Sequence, residues 1–384
     1  MPSPARQQNP YRPGFNQAPA RLVGRDAVLA AAREALEVAA LDGRTPRPLI
    51  LVGPRGVGKT VSLGEISSLA AERSWPTVHV EVSPQTSFVP VLVERLEEAT
   101  ALLRQTTRRD RGRATVSGGK VSAHVFGVGG EVDVRRRPPR RPAARLDRSL
   151  AQAMEAALAC DAGLVLTVDE LQLADRAELG ELTSTLQQHV PDDWPLVVAA
   201  AGLPSLRDPG RSVTYLERGE WHELGLLSPA DTIAALTEPA LAAGRLMSAA
   251  AADVLAEASG GYPYAVQVLG HHAWRASHGR RTITAEHASA AVTAAAKDLS
   301  AGLYAARWND SALAEQDYLA ALASLPEGSG GGDVARALGK APAQVSYLRH
   351  RLIKKGTIFP EGRALRFLVP GMAQWVSEHA EDRS

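Results

Sequence analysis

The sequence contains the run Gly53-Pro54-Arg55-Gly56-Val57-Gly58-Lys59-Thr60, and this run decides the fold because it fits the pattern GxxxxGK[ST] in its required context. An apolar run at 48–52 predicts a short buried strand before it, and apolar residues at helical spacing predict a helix over 61–73 after it. Glycines here let successive backbone N–H groups point at an anion above a partly positive helix N-terminus. The loop from Gly53 to Val61 is therefore predicted to cradle phosphate groups rather than to form a plain glycine turn.

Two side chains of this loop have the chemistry expected around a bound nucleotide. Lys59 is placed to contact the β- and γ-phosphates, and the hydroxyl of Thr60 is placed to ligate Mg²⁺. We therefore expect ATP and Mg²⁺ as ligands, with Lys59 assisting catalysis.

A pair of carboxylates follows the apolar run 163–168, which predicts a buried strand ending in Asp169 and Glu170. Charged side chains at the edge of a core are costly unless they are paired or bind a cation, so the pair predicts a magnesium site. In this interpretation Asp169 holds the metal, usually through water, and Glu170 polarises the attacking water, which predicts hydrolysis rather than a kinase reaction. Alternatively, Asp169 only caps a helix over 171–190.

Composition sets the outer limits of the interpretation. A chain of 384 residues and 40.7 kDa with 45% hydrophobic content predicts two or three packed domains. The longest apolar stretches, such as 196–203, are far shorter than a membrane helix, and the N-terminus lacks a signal-peptide core, so a cytoplasmic protein is expected. The one cysteine, Cys160, excludes an internal disulfide and a multi-cysteine metal site.

The net charge of +1 conceals a basic insertion at 104–148, which holds 13 Lys/Arg and 4 Asp/Glu. Its middle has the pattern of a β-hairpin. A segment of this kind contacts a phosphate backbone or a partner, or it is a solvated insertion, and the sequence favours neither.

Further strands are predicted at 77–82, 195–201 and 221–226. With helices between them they predict an α/β fold with a doubly wound parallel sheet. A helical region follows from Ser228 to about Leu299, and the Pro-, Gln- and Asn-rich residues 1–20 are expected to form an extended or disordered arm.

The chain resembles the AAA+ superfamily, particularly the branch near the origin-recognition initiators and the signalling ATPases known as STAND proteins. The resemblance rests on the two motifs above, on Leu22-Val23-Gly24-Arg25-Asp26 and on Gly261-Tyr262-Pro263-Tyr264. It implies that Val23 and Gly24 contact adenine and that Pro263, in the lid, packs against the same ring. A helix start with proline in its first turn explains Pro263 equally well.

The sequence departs from this family at two points. The end of the strand at 195–201 lacks the usual polar residue that senses the γ-phosphate, and the lid motif lacks a sensor arginine. Slow hydrolysis is therefore expected. Arg218, or alternatively Arg211, could act as an arginine finger in a neighbouring subunit, or either could be a surface residue.

The C-terminal quarter predicts a winged helix-turn-helix over 311–384. Its predicted elements are helices at 317–325, 333–340 and 343–355 and strands at 357–359 and 364–369. Residues 340–366 hold seven Lys/Arg and one acidic residue, Glu361, so contact with double-stranded DNA is favoured over a protein-binding role.

Together these features predict four segments: an arm at 1–20, a P-loop nucleotide-binding core at 21–227, an all-α lid at 228–305 and the winged domain. The favoured function is an ATPase switch whose nucleotide state controls DNA binding or oligomerisation. The alternative is a STAND-like signalling or scaffold ATPase whose winged domain binds protein partners.

Overall fold

The computed structural model describes residues 8–14, 17–112, 142–189, 193–207 and 214–381. The chain divides into two compact units. We name Asp26–Gly53 with Ser62–Glu223 the sheet unit, and Met1–Arg25, Pro54–Val61 and Leu224–Ser384 together the helical unit. Within the described residues, no helix is both long enough and apolar enough to cross a membrane.

The sheet unit contains a five-stranded parallel sheet, which confirms the predicted parallel α/β sheet, and its strand order is β2-β3-β4-β1-β5. The strands are β1 (Leu49–Val52), β2 (Thr77–Glu81), β3 (Leu164–Asp169), β4 (Leu196–Gly202) and β5 (Glu220–Glu223). Every residue of β1, β3 and β4 is buried, which is typical of parallel strands covered on both faces and explains their continuous apolar sequences.

Helices alternate with these strands. They are α1 (Asp26–Asp42), α2 (Lys59–Glu72), α3 (Phe88–Gly112), α4 (Pro142–Leu158), α5 (Arg176–His189) and α6 (Thr214–Glu217). The helix expected over 171–190 is broken: a 3₁₀ turn at Leu171–Leu173 precedes α5. The break follows from the left-handed backbone of Glu170 and from Asp175, whose Oδ1 accepts the N–H of Ala177. The hairpin pattern of the basic insertion falls within 113–141, outside the described residues.

Four helices and a pair of two-residue strands form the first part of the helical unit. They are α7 (Pro229–Ala242), β6 (Leu246–Met247), α8 (Ala249–Ser259), α9 (Pro263–Ala276), β7 (Thr282–Ile283) and α10 (Ala285–Leu299). Ser228 caps α7 through its hydroxyl, which accepts the N–H of Asp231 at 3.1 Å, with Pro229 in the first turn. The prediction that the helical region begins at Ser228 is therefore confirmed.

The C-terminal region contains the three predicted helices and two predicted strands in that order, and it has two further helices, at Ala305–Asn309 and Met372–Glu381, that were not predicted. After a π turn at Ser300–Tyr304, its elements are α11 (Ala305–Asn309), α12 (Leu313–Ala323), α13 (Gly331–Ala337), α14 (Pro342–Lys355), β8 (Ile358–Glu361), β9 (Ala364–Phe367) and α15 (Met372–Glu381). Strands β8 and β9 pair antiparallel. Val345, Leu348 and Leu352 of α14 are buried.

Part of the N-terminal arm is packed on the helical unit. Tyr11 is buried, its hydroxyl donates to the carbonyl of Leu236, and its ring fills the space beside Gly270 of α9. The N–H of Arg12 donates to Gln267 Oε1 at 3.1 Å. For these residues the disordered alternative does not hold, because the aromatic side chain of Tyr11 gains more from burial than the polar composition of the arm suggests.

Candidate functional site

The glycine-rich loop continues directly from β1. The N–H of Gly53 donates to the carbonyl of Gly202 at the end of β4, at 3.2 Å. Gly56 and Gly58 have φ of 82° and 94°, which a residue with a Cβ rarely adopts. A Cβ on Gly58 would meet no atom within 4 Å, so open space faces the backbone there.

Lys59 opens α2 and folds back over the same loop. Its side chain is 5% exposed, and Nζ donates to the carbonyl of Pro54 at 2.8 Å. A curled backbone, an ammonium group and the first turn of a 14-residue helix, where Thr60 also lies, form a donor set that suits a phosphate chain.

Carboxylates meet at the C-terminal edge of the sheet. Asp169 ends β3 in register with Glu81 of β2, and Glu170 follows it. Burial, followed by the charges of Asp169 and Glu170, raises the pKa of Glu81, a residue that the sequence analysis did not single out. Among the described residues, no group of three His, Cys, Asp or Glu side chains is arranged to hold a metal ion alone. Any magnesium beside Asp169 would therefore need some ligands that are not His, Cys, Asp or Glu side chains.

Glu170 is held in place by Gln172. Glu170 has φ 52° and ψ 34°, and its N–H donates to Asp169 Oδ1 at 2.8 Å. Its carboxylate accepts from Gln172 Nε2, while Gln172 Oε1 accepts the N–H of Leu203 at 2.9 Å. The buried amide of Gln172 thus lies at the end of β4, where the strand itself has no polar side chain. It comes from the turn after β3, and no sequence pattern indicates it.

In the helical unit, Arg25 attaches the predicted adenine segment to the glycine-rich loop. Its guanidinium is buried and donates to the carbonyls of Val57 at 2.8 Å, Gly225 at 2.9 Å and Gly24 at 2.7 Å. Burial lowers the pKa of Arg25, and the charge of Asp231 partly offsets this. Arg25 belongs to the motif Leu22 to Asp26, and its bonds join Gly24 to the loop at Val57.

The lid motif meets the same segment at Leu227. The N–H of Leu227 donates to the carbonyl of Gly261 at 2.8 Å, and a Cβ on Gly24 would lie 3.1 Å from Leu227 Cδ2. Pro263 is in the first turn of α9, as the helix-start alternative also predicts. The structure therefore brings Gly24 and the lid motif together, and Leu227 is a contact that the sequence analysis missed.

Tyr262 covers the glycine-rich loop. It is 1% exposed, and its hydroxyl donates to the carbonyl of Arg55 at 3.1 Å. A Cβ on Gly56 would lie 1.9 Å from that hydroxyl, so the missing side chain makes room for Tyr262. Burial raises the pKa of Tyr262, and Arg307 partly offsets this.

Arg307 of α11 links this tyrosine to the C-terminal region. Its Nη2 donates to the Tyr262 hydroxyl at 3.4 Å, and Nη1 donates to the carbonyl of Gly356 at the end of α14. A Cβ on Gly356 would lie 3.2 Å from the backbone nitrogen of Arg55. An arginine therefore reaches the lid motif, but from a helix beyond the segment in which the sequence analysis looked for one.

Ion pairs occupy several of the basic residues at 340–366. Glu315 is fully buried; its carboxylate accepts a hydrogen bond from Lys355 Nζ at 2.8 Å and forms an ion pair with Arg351 Nε, also at 2.8 Å. Burial raises the pKa of Glu315, but the bonds from Lys355 and the Ala312 N–H and the charge of Arg351 lower it overall. Arg366 pairs with Glu361 at 2.7 Å. Fewer cations are left for an anionic partner than the sequence count suggests.

Arg218 lies on the turn after α6 and is exposed, and the structure does not bring it to Asp169 or Glu170 through any contact of the described residues. Arg211 lies outside the described residues.

Residues 21–199 match a family model described as an AAA ATPase domain, and residues 301–376 match one described as a domain of unknown function (DUF8462). A comparison with curated proteins finds no match. In structure the chain is similar to the Walker-type ATPase PABY2304 of Pyrococcus abyssi, with a TM-score of 0.58, 14% identity, and coverage of 94% of this chain and 97% of that one.

Two further structures show weaker similarity. They are the RuvB Holliday junction branch migration motor of Thermotoga maritima, with a TM-score of 0.47, 17% identity and coverage of 94% and 95%, and Cdc6p from Pyrobaculum aerophilum, with a TM-score of 0.49, 15% identity and coverage of 96% and 96%. Residues 21–199 are thus similar in sequence to AAA ATPase domains, and the whole chain is similar in fold to a Walker-type ATPase.

Proposed function

We propose that this protein is an ATP-binding ATPase that acts as a slow switch, in which the nucleotide state controls DNA binding by the C-terminal region. The observation that carries the proposal is the shape of the loop from Gly53 to Val61. Its backbone is left-handed at Gly56 and Gly58, with open space beside Gly58 and the Lys59 ammonium folded over the loop. Backbone N–H groups in such a curl bind phosphate oxygens.

In this proposal the catalytic roles follow the residue chemistry. Lys59 would bind the β- and γ-phosphates, and the Thr60 hydroxyl and Asp169 would hold magnesium. Magnesium bound there would neutralise charge on the phosphate oxygens. Glu170 orients the attacking water, while Val23, Gly24 and Pro263 surround the adenine.

Slow turnover fits the hydrogen bonds of Glu170. Its carboxylate is occupied by Gln172 and must exchange this partner to accept a proton from water. Because Arg218 is exposed, we propose that it completes the site of a neighbouring copy as an arginine finger, which makes hydrolysis dependent on a homo-oligomer.

The coupling to the C-terminal region rests on the contacts of Arg307. A continuous set of hydrogen bonds joins the Arg55 carbonyl, the Tyr262 hydroxyl, Arg307 and the Gly356 carbonyl. A change in the loop on nucleotide binding would therefore be transmitted through these hydrogen bonds to the C-terminal end of α14. We propose that residues 311–384 act as a winged helix-turn-helix and that α14 and the hairpin β8–β9 face double-stranded DNA.

A second candidate is a signalling or scaffold ATPase whose C-terminal region binds a protein. The ion pairs of Arg351, Lys355 and Arg366 favour it because they reduce the charge available to DNA. Exposed apolar side chains favour it too, since Tyr347 is 55% exposed and Leu313 is 67% exposed.

Two assays test the proposal. In the first, Lys59→Ala should abolish ATP binding, whereas Glu170→Gln should bind ATP and lose hydrolysis; normal hydrolysis by Glu170→Gln would show that the catalytic assignment is wrong. In the second, DNA affinity is measured with ATP, with ADP and without nucleotide over a salt series. Equal affinities in the three states would remove the switch, and absence of DNA binding at low salt with ATP binding intact would favour the second candidate.

A further inference from the structure

The C-terminal region contains a small cavity at the junction of α12, α13 and α14. We name it the Tyr318 notch; it is lined by Tyr318, Gly331, Gly332, Pro342, Ser346 and Arg349, and its volume is about 220 Å³. Pockets for drug-sized ligands span about 300 to 1,000 Å³, so this notch suits a small ion or a single chemical group rather than a whole nucleotide.

The hydroxyl of Tyr318 lacks a hydrogen-bond partner in this notch. The side chain is 0% exposed, and among the described residues its Oη bonds to nothing. Burial raises the pKa of Tyr318, and the charge of Arg349 partly offsets this. The phenol therefore remains a neutral O–H donor at physiological pH. Leaving such a buried donor unpaired is costly, so a hydroxyl on a cavity wall indicates an acceptor within the cavity.

Arg349 points its charge to the same place. A Cβ on Gly331 would lie 2.9 Å from Arg349 Nη1 and 3.5 Å from Tyr318 Oη, so the two donors converge on the bare glycine. Within the part of the chain that the structure describes, Arg349 has no ion pair, although Arg351 of the same helix pairs with Glu315.

The nearby carboxylate does not compete for Arg349. Asp333 accepts the N–H of Gly330 at 2.9 Å and pairs with Arg336 at 3.1 Å. The bond from Gly330 is the main reason that the pKa of Asp333 is lowered, so this carboxylate is ionised and already engaged.

We infer that the Tyr318 notch binds a phosphate-type oxyanion, with the Arg349 guanidinium and the Tyr318 hydroxyl as donors. A planar guanidinium can give two parallel hydrogen bonds to such a group, and the phenol adds a third from a different direction. The first turn of α14, a 14-residue helix, lines the notch and contributes partial positive charge. Two sources share this chemistry: a backbone phosphate of DNA, which rests on the proposed function, and free phosphate or a phosphomonoester, which does not.

The test uses the full chain in a Lys59→Ala background, which removes phosphate binding by the glycine-rich loop. Inorganic phosphate is titrated by calorimetry into this chain and into versions that also carry Arg349→Met, Tyr318→Phe or Arg336→Met. Arg336→Met is the matched control because it removes one arginine of the same region outside the notch. Tyr318→Phe keeps the ring and loses a hydroxyl that bonds to no described residue, so it should fold normally.

We expect Arg349→Met to weaken phosphate binding at least tenfold and Tyr318→Phe to weaken it severalfold, with Arg336→Met unchanged. Equal phosphate affinity in all the versions, or no phosphate binding in the background chain, overturns the inference.

Duplex DNA then separates the two sources. If Arg349→Met lowers the salt dependence of DNA binding by about one ion relative to Arg336→Met, the phosphate belongs to DNA. If DNA binding is absent or unchanged while phosphate binding is lost, the ligand is free phosphate, and the inference stands without the proposed function.

Discussion

Replacing Tyr262 by phenylalanine tests whether the lid shapes the glycine-rich loop for nucleotide. The substitution removes one oxygen from a side chain that is 1% exposed and leaves the ring that packs on Gly56. That oxygen donates to the Arg55 carbonyl at 3.1 Å and accepts from Arg307 at 3.4 Å.

The magnitude follows from these two bonds. The bond to Arg55, at 3.1 Å, is slightly longer than is usual for O–H···O and contributes about 1 kcal/mol net. The bond from Arg307 is longer than the usual range and contributes less, and Arg307 keeps its bond to Gly356. Without the hydroxyl, the loop must be ordered when nucleotide binds, which weakens binding. Since about 1.4 kcal/mol is a tenfold change, we expect the Kd for MgATP to rise about fivefold.

Isothermal calorimetry with MgATP measures this effect. Tyr264→Phe is the matched control, because Tyr264 lies in the same motif with its ring centroid 6.4 Å from that of Tyr262, and its hydroxyl has no hydrogen bond within the described residues. An unchanged Kd for Tyr262→Phe would refute the reasoning. A tighter Kd would refute it too, because it would mean that the hydroxyl competes with phosphate for the loop.

Three further predictions follow from the remaining polar contacts. Arg307→Lys should uncouple DNA affinity from nucleotide state in the binding assay, because one ammonium cannot reach both the Tyr262 hydroxyl and the Gly356 carbonyl as a guanidinium does; equal coupling in the variant would contradict this. Gln172→Ala should raise kcat for ATP hydrolysis with little change in the Kd for ATP. It releases Glu170, which is expected to act in hydrolysis rather than in binding. Glu315→Gln should destabilise the C-terminal region by about 2 kcal/mol at pH 7, measured by hydrogen exchange of α12 amides. Because the folded pKa of Glu315 is lowered, this stabilisation is present above the ordinary glutamate value of about 4.3 and is lost as the pH falls through the folded value, so wild type and variant should converge in acid.

The local parts of the fold follow from the sequence for identifiable reasons. Parallel strands buried on both faces leave continuous apolar runs, so β1, β3 and β4 are predicted within one residue at each end. The loop at Gly53 and the start of α7 at Ser228 follow from short patterns in which neighbouring residues determine the backbone.

The contacts that complete the candidate site are different in kind. Arg25 is 200 residues from its acceptor at Gly225, and Tyr262 is 207 residues from its acceptor at Arg55. In both cases a side chain bonds to a carbonyl group, which every residue has, so no pairing of residue types in the sequence indicates the partner. The Leu203 N–H that donates to Gln172 Oε1 is likewise a main-chain group, which nearly every residue has, so the sequence does not indicate this bond either.

This preference for backbone acceptors determines how the nucleotide loop can be linked to the C-terminal region. Tyr262 bonds to the Arg55 carbonyl and Arg307 to the Gly356 carbonyl, so both bonds depend on backbone position rather than on the side chains at 55 and 356. A Cβ on Gly356 would lie 3.2 Å from the Arg55 nitrogen, which leaves little room for either segment to move alone. In the proposed switch, bound phosphate shifts carbonyl groups of the loop while the loop keeps its phosphate-binding curl, and a link made to those carbonyls would respond directly. The nucleotide state would then act on α14 without any change in the side chain of Arg55.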